Sequence, residues 1–222
     1  MSIAEPLPSK EIAAPSRRSL FALSWLNFFL AGMQSAFGPI AAAYLAAQQW
    51  TAKDIGFVLS IGGIASLISQ IPGGELLDAV RAKRLLVAIG VVTIALSTLI
   101  LRLWPSFPLV ALAEVLQGVT GGVLGAGVVA ITLGLVGHDA LAERLGQNQR
   151  FAAAGGVAVT LTMALVAYAD SPWAMFVPVA LAVPVLVALS QIGGEEIDFD
   201  VPPVPNRPAL SVLSVPHATR LF

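Results

Sequence analysis

Long apolar runs alternate with short polar connectors along almost the whole chain. Six runs stand out, near residues 19–47, 55–76, 84–104, 108–136, 149–169 and 172–192. Each is about 20 residues or longer, enough to cross a hydrocarbon layer about 30 Å thick as a helix. Helix is the geometry such runs must take, because hydrocarbon cannot satisfy free backbone groups. The connectors carry turn chemistry: Trp50-Thr51-Ala52-Lys53-Asp54, Trp104-Pro105-Ser106-Phe107-Pro108 and Asp170-Ser171-Pro172. The pattern predicts an all-α membrane protein with six transmembrane helices. The first run follows Arg17-Arg18 and is too long for the roughly 7–15-residue core of a signal peptide, so it reads as a retained helix.

The basic residues sort by side. With six crossings, Lys10, Arg17, Arg18, Arg81, Lys83, Arg84, Arg144, Arg150, Arg207 and Arg220 share one face of the membrane, leaving Lys53 and Arg102 for the other. Basic residues favour the cytoplasmic side. Both termini are therefore expected in the cytoplasm, in a multi-pass protein of the plasma or inner membrane. Residues 1–18 read as a disordered tail and 19–192 as the bundle. Residues 193–222 form a linker, acidic and proline-rich up to about Pro208. From Ala209 to Phe222 the chain turns apolar again, like the start of a missing second half.

Composition narrows the function. Hydrophobic residues are 57% and charged residues 11% of the chain, and mean hydropathy is +0.84. Soluble domains carry about 25% charged residues. A net charge of −1 and the lack of a basic, aromatic stretch give no basis for nucleic-acid binding. With no cysteine, and with His138 and His217 outside any metal-ligand spacing, neither thiol chemistry nor a metal site is expected. No catalytic residues are assigned. Intramembrane serine chemistry would want a histidine inside a span, and aspartyl chemistry two aspartates there. The reading is a non-enzyme without cofactors.

Polar residues inside spans are costly and usually face protein or a water-filled cavity. Glu114 lies about two turns into the fourth run, a candidate proton acceptor or substrate counter-ion. It shares a face with Gly118, Gly121 and Gly125, which with Gly122 make a small-residue stripe suited to helix packing. In the first run Asn27 and Gln34 are seven apart and so share a face. Two amides there either line a cavity or join two helices. Gly38-Pro39 follows and offers a kink. Gln70 is a weaker signal of the same sort.

After the second run the sequence reads Gly74-Glu75-Leu76-Leu77-Asp78-Ala79-Val80-Arg81-Ala82-Lys83-Arg84. With the span pattern, this loop resembles the signature of the major facilitator superfamily, Gly-x-Leu-x-Asp followed by basic residues. Gly74, Leu76 and Asp78 match it, and Lys83 and Arg84 supply the trailing charge. Ala79, Arg81 and Ala82 depart from the usual Arg, Gly and Arg. The family often has Arg-x-x-Gln-Gly in its fourth helix. Gln117 and Gly118 match that element, while Glu114 replaces the arginine. The fifth helix lacks the full glycine-proline element of drug antiporters, which argues against that subclass.

The resemblance covers about Ser19 to Ile192 and corresponds to the amino-terminal six-helix half of such a transporter. It implies a bundle of two inverted three-helix units, although no clear sequence echo links residues 19–104 to 108–192. It also implies a cytoplasmic gate at Asp78 and a cavity lined by the first and fourth helices, with Asn27, Gln34, Glu114 and Gln117 as coupling or cavity candidates. The implied function is secondary transport of a small-molecule substrate by alternating access, with the proton as candidate coupling ion. A half or truncated transporter would need a second six-helix half or a copy of itself. The alternative is a non-transporting six-span accessory or regulatory protein.

Overall fold

The computed structural model describes residues 15–79, 82–168 and 176–197, with the side chains of all of these except 71–79, 167 and 168. The described residues form α1 (Arg17–Ala47), α2 (Ala52–Ala79), α3 (Lys83–Leu103), α4 (Phe107–Tyr168), α5 (Val177–Gln191) and a 3-10 turn at Gly194–Glu196. No strand occurs among them. Helices α1 to α4 are long and apolar enough to cross a membrane, and α5 is an apolar helix of 15 residues.

The helix starts follow local chemistry. Ser16 caps α1, its side chain accepting from the Ser19 amide at 3.1 Å. Before α2, Thr51 Oγ1 accepts from the Asp54 amide at 3.2 Å and donates to Asp54 Oδ2 at 2.7 Å. The helix α1 runs on through Gly38 and Pro39.

At 62 residues, α4 would measure about 93 Å if straight, three times the hydrocarbon thickness. It is broken at Gly137, where φ is 69° and ψ is −177°, a conformation open essentially to glycine alone. Asn148 Nδ2 donates to Thr132 Oγ1 at 3.0 Å. In a continuous helix those residues would stand about 24 Å apart. The chain therefore folds back at Gly137, giving a first limb (107–136) and a second limb (138–168). Hydropathy sets the start of the second limb near 149. It starts earlier because the polar stretch before Arg150, loop-like by hydropathy, is made of good helix formers such as Ala140, Leu141, Ala142 and Glu143.

Close approaches join the first limb to α2 (Gly118 to Gly62) and to α3 (Leu124 to Gly90), and the second limb to α1 (Gly155 to Phe28). The central core joins Leu23, Leu26 and Met33 of α1, Val91 and Ile94 of α3, Leu124 and Ile131 of α4, and Val185 of α5. A second cluster, including Phe37, Leu45, Val58, Leu101 and Val110, closes the end away from the N-terminus. The outer faces are apolar instead of charged: Phe57, Ile64, Leu67 and Ile68 on α2, Leu85, Ile89 and Leu96 on α3, and Val157, Leu161 and Leu165 on α4 are all exposed. That inverted pattern suits hydrocarbon as solvent.

Polar contacts gather where α1 starts and α5 ends. Arg18 donates from Nε to Gln191 Oε1 at 2.8 Å, Gly193 donates its amide to Ser19 Oγ at 3.1 Å, and the Ser16 amide and hydroxyl both donate to Glu196 Oε2 at 3.1 Å. Residues 193–197, expected as the start of the linker, are thus docked on α1, and Ile197 is buried in the central core.

Candidate functional site

The spacing of Asn27 and Gln34 places both on the face of α1 that looks onto the α4 hairpin. Together with Gly125 and Val129 of the first limb and Asn148 and Gln149 of the second, they line an open cleft of about 730 Å³. The floor is apolar, with Leu30, Leu124 and Val128. Asn27 is half-buried and donates from Nδ2 to the Leu23 carbonyl at 2.8 Å, leaving its carbonyl oxygen for other use. Asn148 is 3% exposed. An adjoining cavity of about 570 Å³ shares Ala31, Gln149 and Ala152, and adds Ser35 and Thr160.

Close helix approach makes the cleft's supporting walls. A Cβ on Gly155 would strike the Phe28 carbonyl of α1, and one on Gly32 would meet Val159 Cγ2 at 2.5 Å. Between the first limb and α2, a Cβ on Gly118 would strike the Gly62 carbonyl, and one on Gly122 the Ser69 hydroxyl. Gly121 and Gly125, expected on the same packing stripe, meet no described atom within 4 Å. Gly121 is turned about 60° from Gly118 around the helix, and Gly125 lies along the cleft.

Glu114 is buried, and it faces α2 instead of the cleft. Its Oε2 stands 2.7 Å from the position a Cβ on Gly62 would occupy, and its Oε1 has no hydrogen-bond partner among the described residues. The Gln117 Oε1 is likewise buried without one. Neither residue lines the cleft. The structure therefore brings Asn27 and Gln34 together with the amides of the hairpin, and sets Glu114 and Gln117 apart.

In the signature loop, Arg84 donates from Nη2 to the Leu189 carbonyl at 3.1 Å, satisfying the carboxyl end of α5. Gly74, Leu76 and Asp78 fall within α2, and their side chains lie outside the described residues. Two further residues emerge only in the fold. Arg144, nearly buried, donates to the Leu20 carbonyl, to Ser24 Oγ at 2.7 Å and to Gln147 Oε1 at 3.0 Å, clamping the second limb to α1. Asn148 lies one turn further along. Their spacing of four is the signal the sequence carries, and it is hidden because this stretch is loop-like by hydropathy.

The comparisons with known proteins agree with this architecture. Two relatives from Mycobacterium tuberculosis are both described as uncharacterized MFS-type transporters, MT2531 of strain CDC 1551 / Oshkosh and Rv2456c of strain ATCC 25618 / H37Rv. Each is 32% identical over 192 residues, covering 86% of this chain and 46% of the relative. The chain thus spans about half the length of these relatives. The family profile described as Major Facilitator Superfamily matches residues 23–211. With that match over most of its length, and with apolar helices fit for a bilayer, this integral membrane chain belongs to the major facilitator superfamily.

Proposed function

We propose that the chain forms one six-crossing wall of a secondary active transporter, moving a small solute by alternating access. The supporting observation is the open, amide-lined cleft between α1 and the α4 hairpin. One wall does not enclose a solute, so the opposite wall comes from a second six-helix half or a second copy of this chain. In this reading the two limbs of α4 cross separately, the termini are cytoplasmic, and Asp78 acts in the gate at that face. The proton is the coupling ion. Glu114, the carboxylate buried within the first limb, is the candidate group for that coupling.

The test applies whatever the solute. The full chain is reconstituted into proteoliposomes and supplied with a ¹⁴C-labelled small-metabolite extract, with and without an inward proton gradient. Gradient-dependent retention above empty liposomes is the expected result, reduced by Asp78→Asn. Retention equal to that of empty liposomes, both for the chain alone and for the chain reconstituted together with the half of a relative that it does not cover, would sink the transport reading and favour a non-transporting accessory role.

A further inference from the structure

At the end of the bundle where α1 starts, α3 also starts and α5 ends, and the last two pack side by side. Between them lies a shallow groove of about 470 Å³. Leu85, Ala88, Leu186 and Leu189 make it apolar, and Arg84 is the charged group in its lining. Further along both helices, Ile89 and Val92 of α3 and Val183 and Val187 of α5 are exposed. The groove therefore runs out onto an apolar outer face, of the kind that hydrocarbon covers. It shares no residue with the cleft between α1 and the α4 hairpin.

Arg84 is only partly satisfied there. Its Nη2 donates to the Leu189 and Ser190 carbonyls, at 3.1 and 3.5 Å, and neutral carbonyls do not cancel its charge. Its Nη1 makes no hydrogen bond among the described residues. That nitrogen stands 2.9 Å from where a Cβ on Gly194 would be, so a bare glycine of the groove lining leaves this edge of the guanidinium uncovered. Arg18, exposed and bonded to Gln191, brings a second positive charge to the same end of α5. The acidic residues of the nearby 3-10 turn, Glu195 and Glu196, do not line the groove, and Ser16 holds Glu196 Oε2. Ala82, which does line it, precedes α3 and gives the first-turn amides no side-chain cap. Such a helix start favours negative charge.

A guanidinium edge at the head of an apolar trough matches a phosphate that carries acyl chains. We propose that the groove holds an anionic phospholipid, its phosphate oxygens accepting from Arg84 Nη1 and its chains lying along α3 and α5. Arginine binds phosphate through charge-assisted hydrogen bonds. A glycerol headgroup adds only hydroxyls beside that phosphate, whereas a choline headgroup sets a cation next to Arg84 and Arg18. A free phosphate would leave Leu85, Ala88 and Leu186 uncovered. The lipid would tie the start of α3 to the end of α5, and its binding does not depend on transport.

The test is native mass spectrometry of the full chain from detergent micelles holding equal amounts of phosphatidylglycerol and phosphatidylcholine with the same acyl chains. Preferential retention of phosphatidylglycerol is expected. Arg84→Gln should cut that preference about fivefold, the worth of one basic residue beside an anionic surface. Gly194→Leu, which covers Nη1 and removes no charge, should cut it by a similar factor. Lys53→Gln, at the opposite end of the bundle, should leave it unchanged. Thermal unfolding checks that each variant is folded, and Gly194→Leu carries the test if Arg84→Gln does not fold. Equal retention of the two lipids would overturn the proposal. So would a preference that survives the groove substitutions in folded protein, or one that Lys53→Gln weakens as much. Displacement of the lipid by millimolar inorganic phosphate would overturn the lipid reading and make the groove a site for a free anion.

Discussion

The Glu114 carboxylate lies against Gly62 of α2, with Oε2 2.7 Å from where a side chain on that glycine would begin. The contact places the one acidic group of the first limb on backbone, at a joint where Gly118 also meets Gly62. No described cation or donor reaches Oε1. A carboxylate held this way is a poor structural anchor, because a buried charge without a partner costs more than it returns.

Glu114→Gln should therefore keep the fold and impair proton-coupled transport. The amide has the same shape and lacks the charge. Thermal unfolding in detergent should shift little, within about 1 kcal/mol. Gradient-driven uptake should fall while downhill exchange continues. Full gradient-driven uptake by a well-expressed Glu114→Gln protein would remove Glu114 from the coupling role.

Glycine substitutions should separate contact from open space. Gly155→Ala drives a methyl group into the Phe28 backbone, which cannot rotate away. It should cost at least about 1–3 kcal/mol, the range for overpacking. Gly121→Ala meets no described atom and should be neutral or slightly stabilising, since alanine favours helix by about 1 kcal/mol. Unfolding midpoints measured side by side check the opposite signs. Equal effects would mean that the α1–α4 approach is looser than described.

Much of this architecture is legible in the sequence for a simple reason. Apolar runs long enough for a bilayer have few alternatives to helix, and the seven-residue spacing of Asn27 and Gln34 survives folding as a shared face. What stays hidden depends on contacts between distant residues. Nothing local to Glu114 indicates that Gly62 lies opposite. Hydropathy places Arg144 and Asn148 in a loop, although their neighbours favour helix and their spacing puts them on one side of it. The acidic stretch at Glu196 reads as a linker because its partner, Ser16, is 180 residues away.

The Arg144 clamp should tolerate no other cation. Its guanidinium reaches Leu20, Ser24 and Gln147 at once, a fork that a lysine ammonium cannot reproduce. Hydrogen bonds from a charged group are worth about 1.5–3 kcal/mol. Arg144→Lys and Arg144→Met should both destabilise the protein by about that much. Faster proteolysis at the α1 amino terminus should accompany the lower unfolding midpoint. A lysine variant as stable as the parent would show that charge alone suffices.

The Glu196 latch should make stability pH-dependent in a defined direction. The Ser16 amide, then the hydroxyls of Ser19 and Ser16, hold the Glu196 carboxyl below its usual range, and slight burial opposes them weakly. A carboxylate depressed in the folded state stabilises fully above its unfolded value, about 4.3 for glutamate. The contribution is then lost as pH falls through the lower folded value. Glu196→Gln retains a hydrogen-bond acceptor and lacks the charge. At pH 7 the parent should therefore unfold at a higher temperature than Glu196→Gln. The gap should hold down to about pH 4.3, shrink below it, and close once the folded group is protonated. A constant gap from pH 7 to pH 3 would mean that the Ser16–Glu196 contact does not hold the ends of α1 and α5 together through its charge.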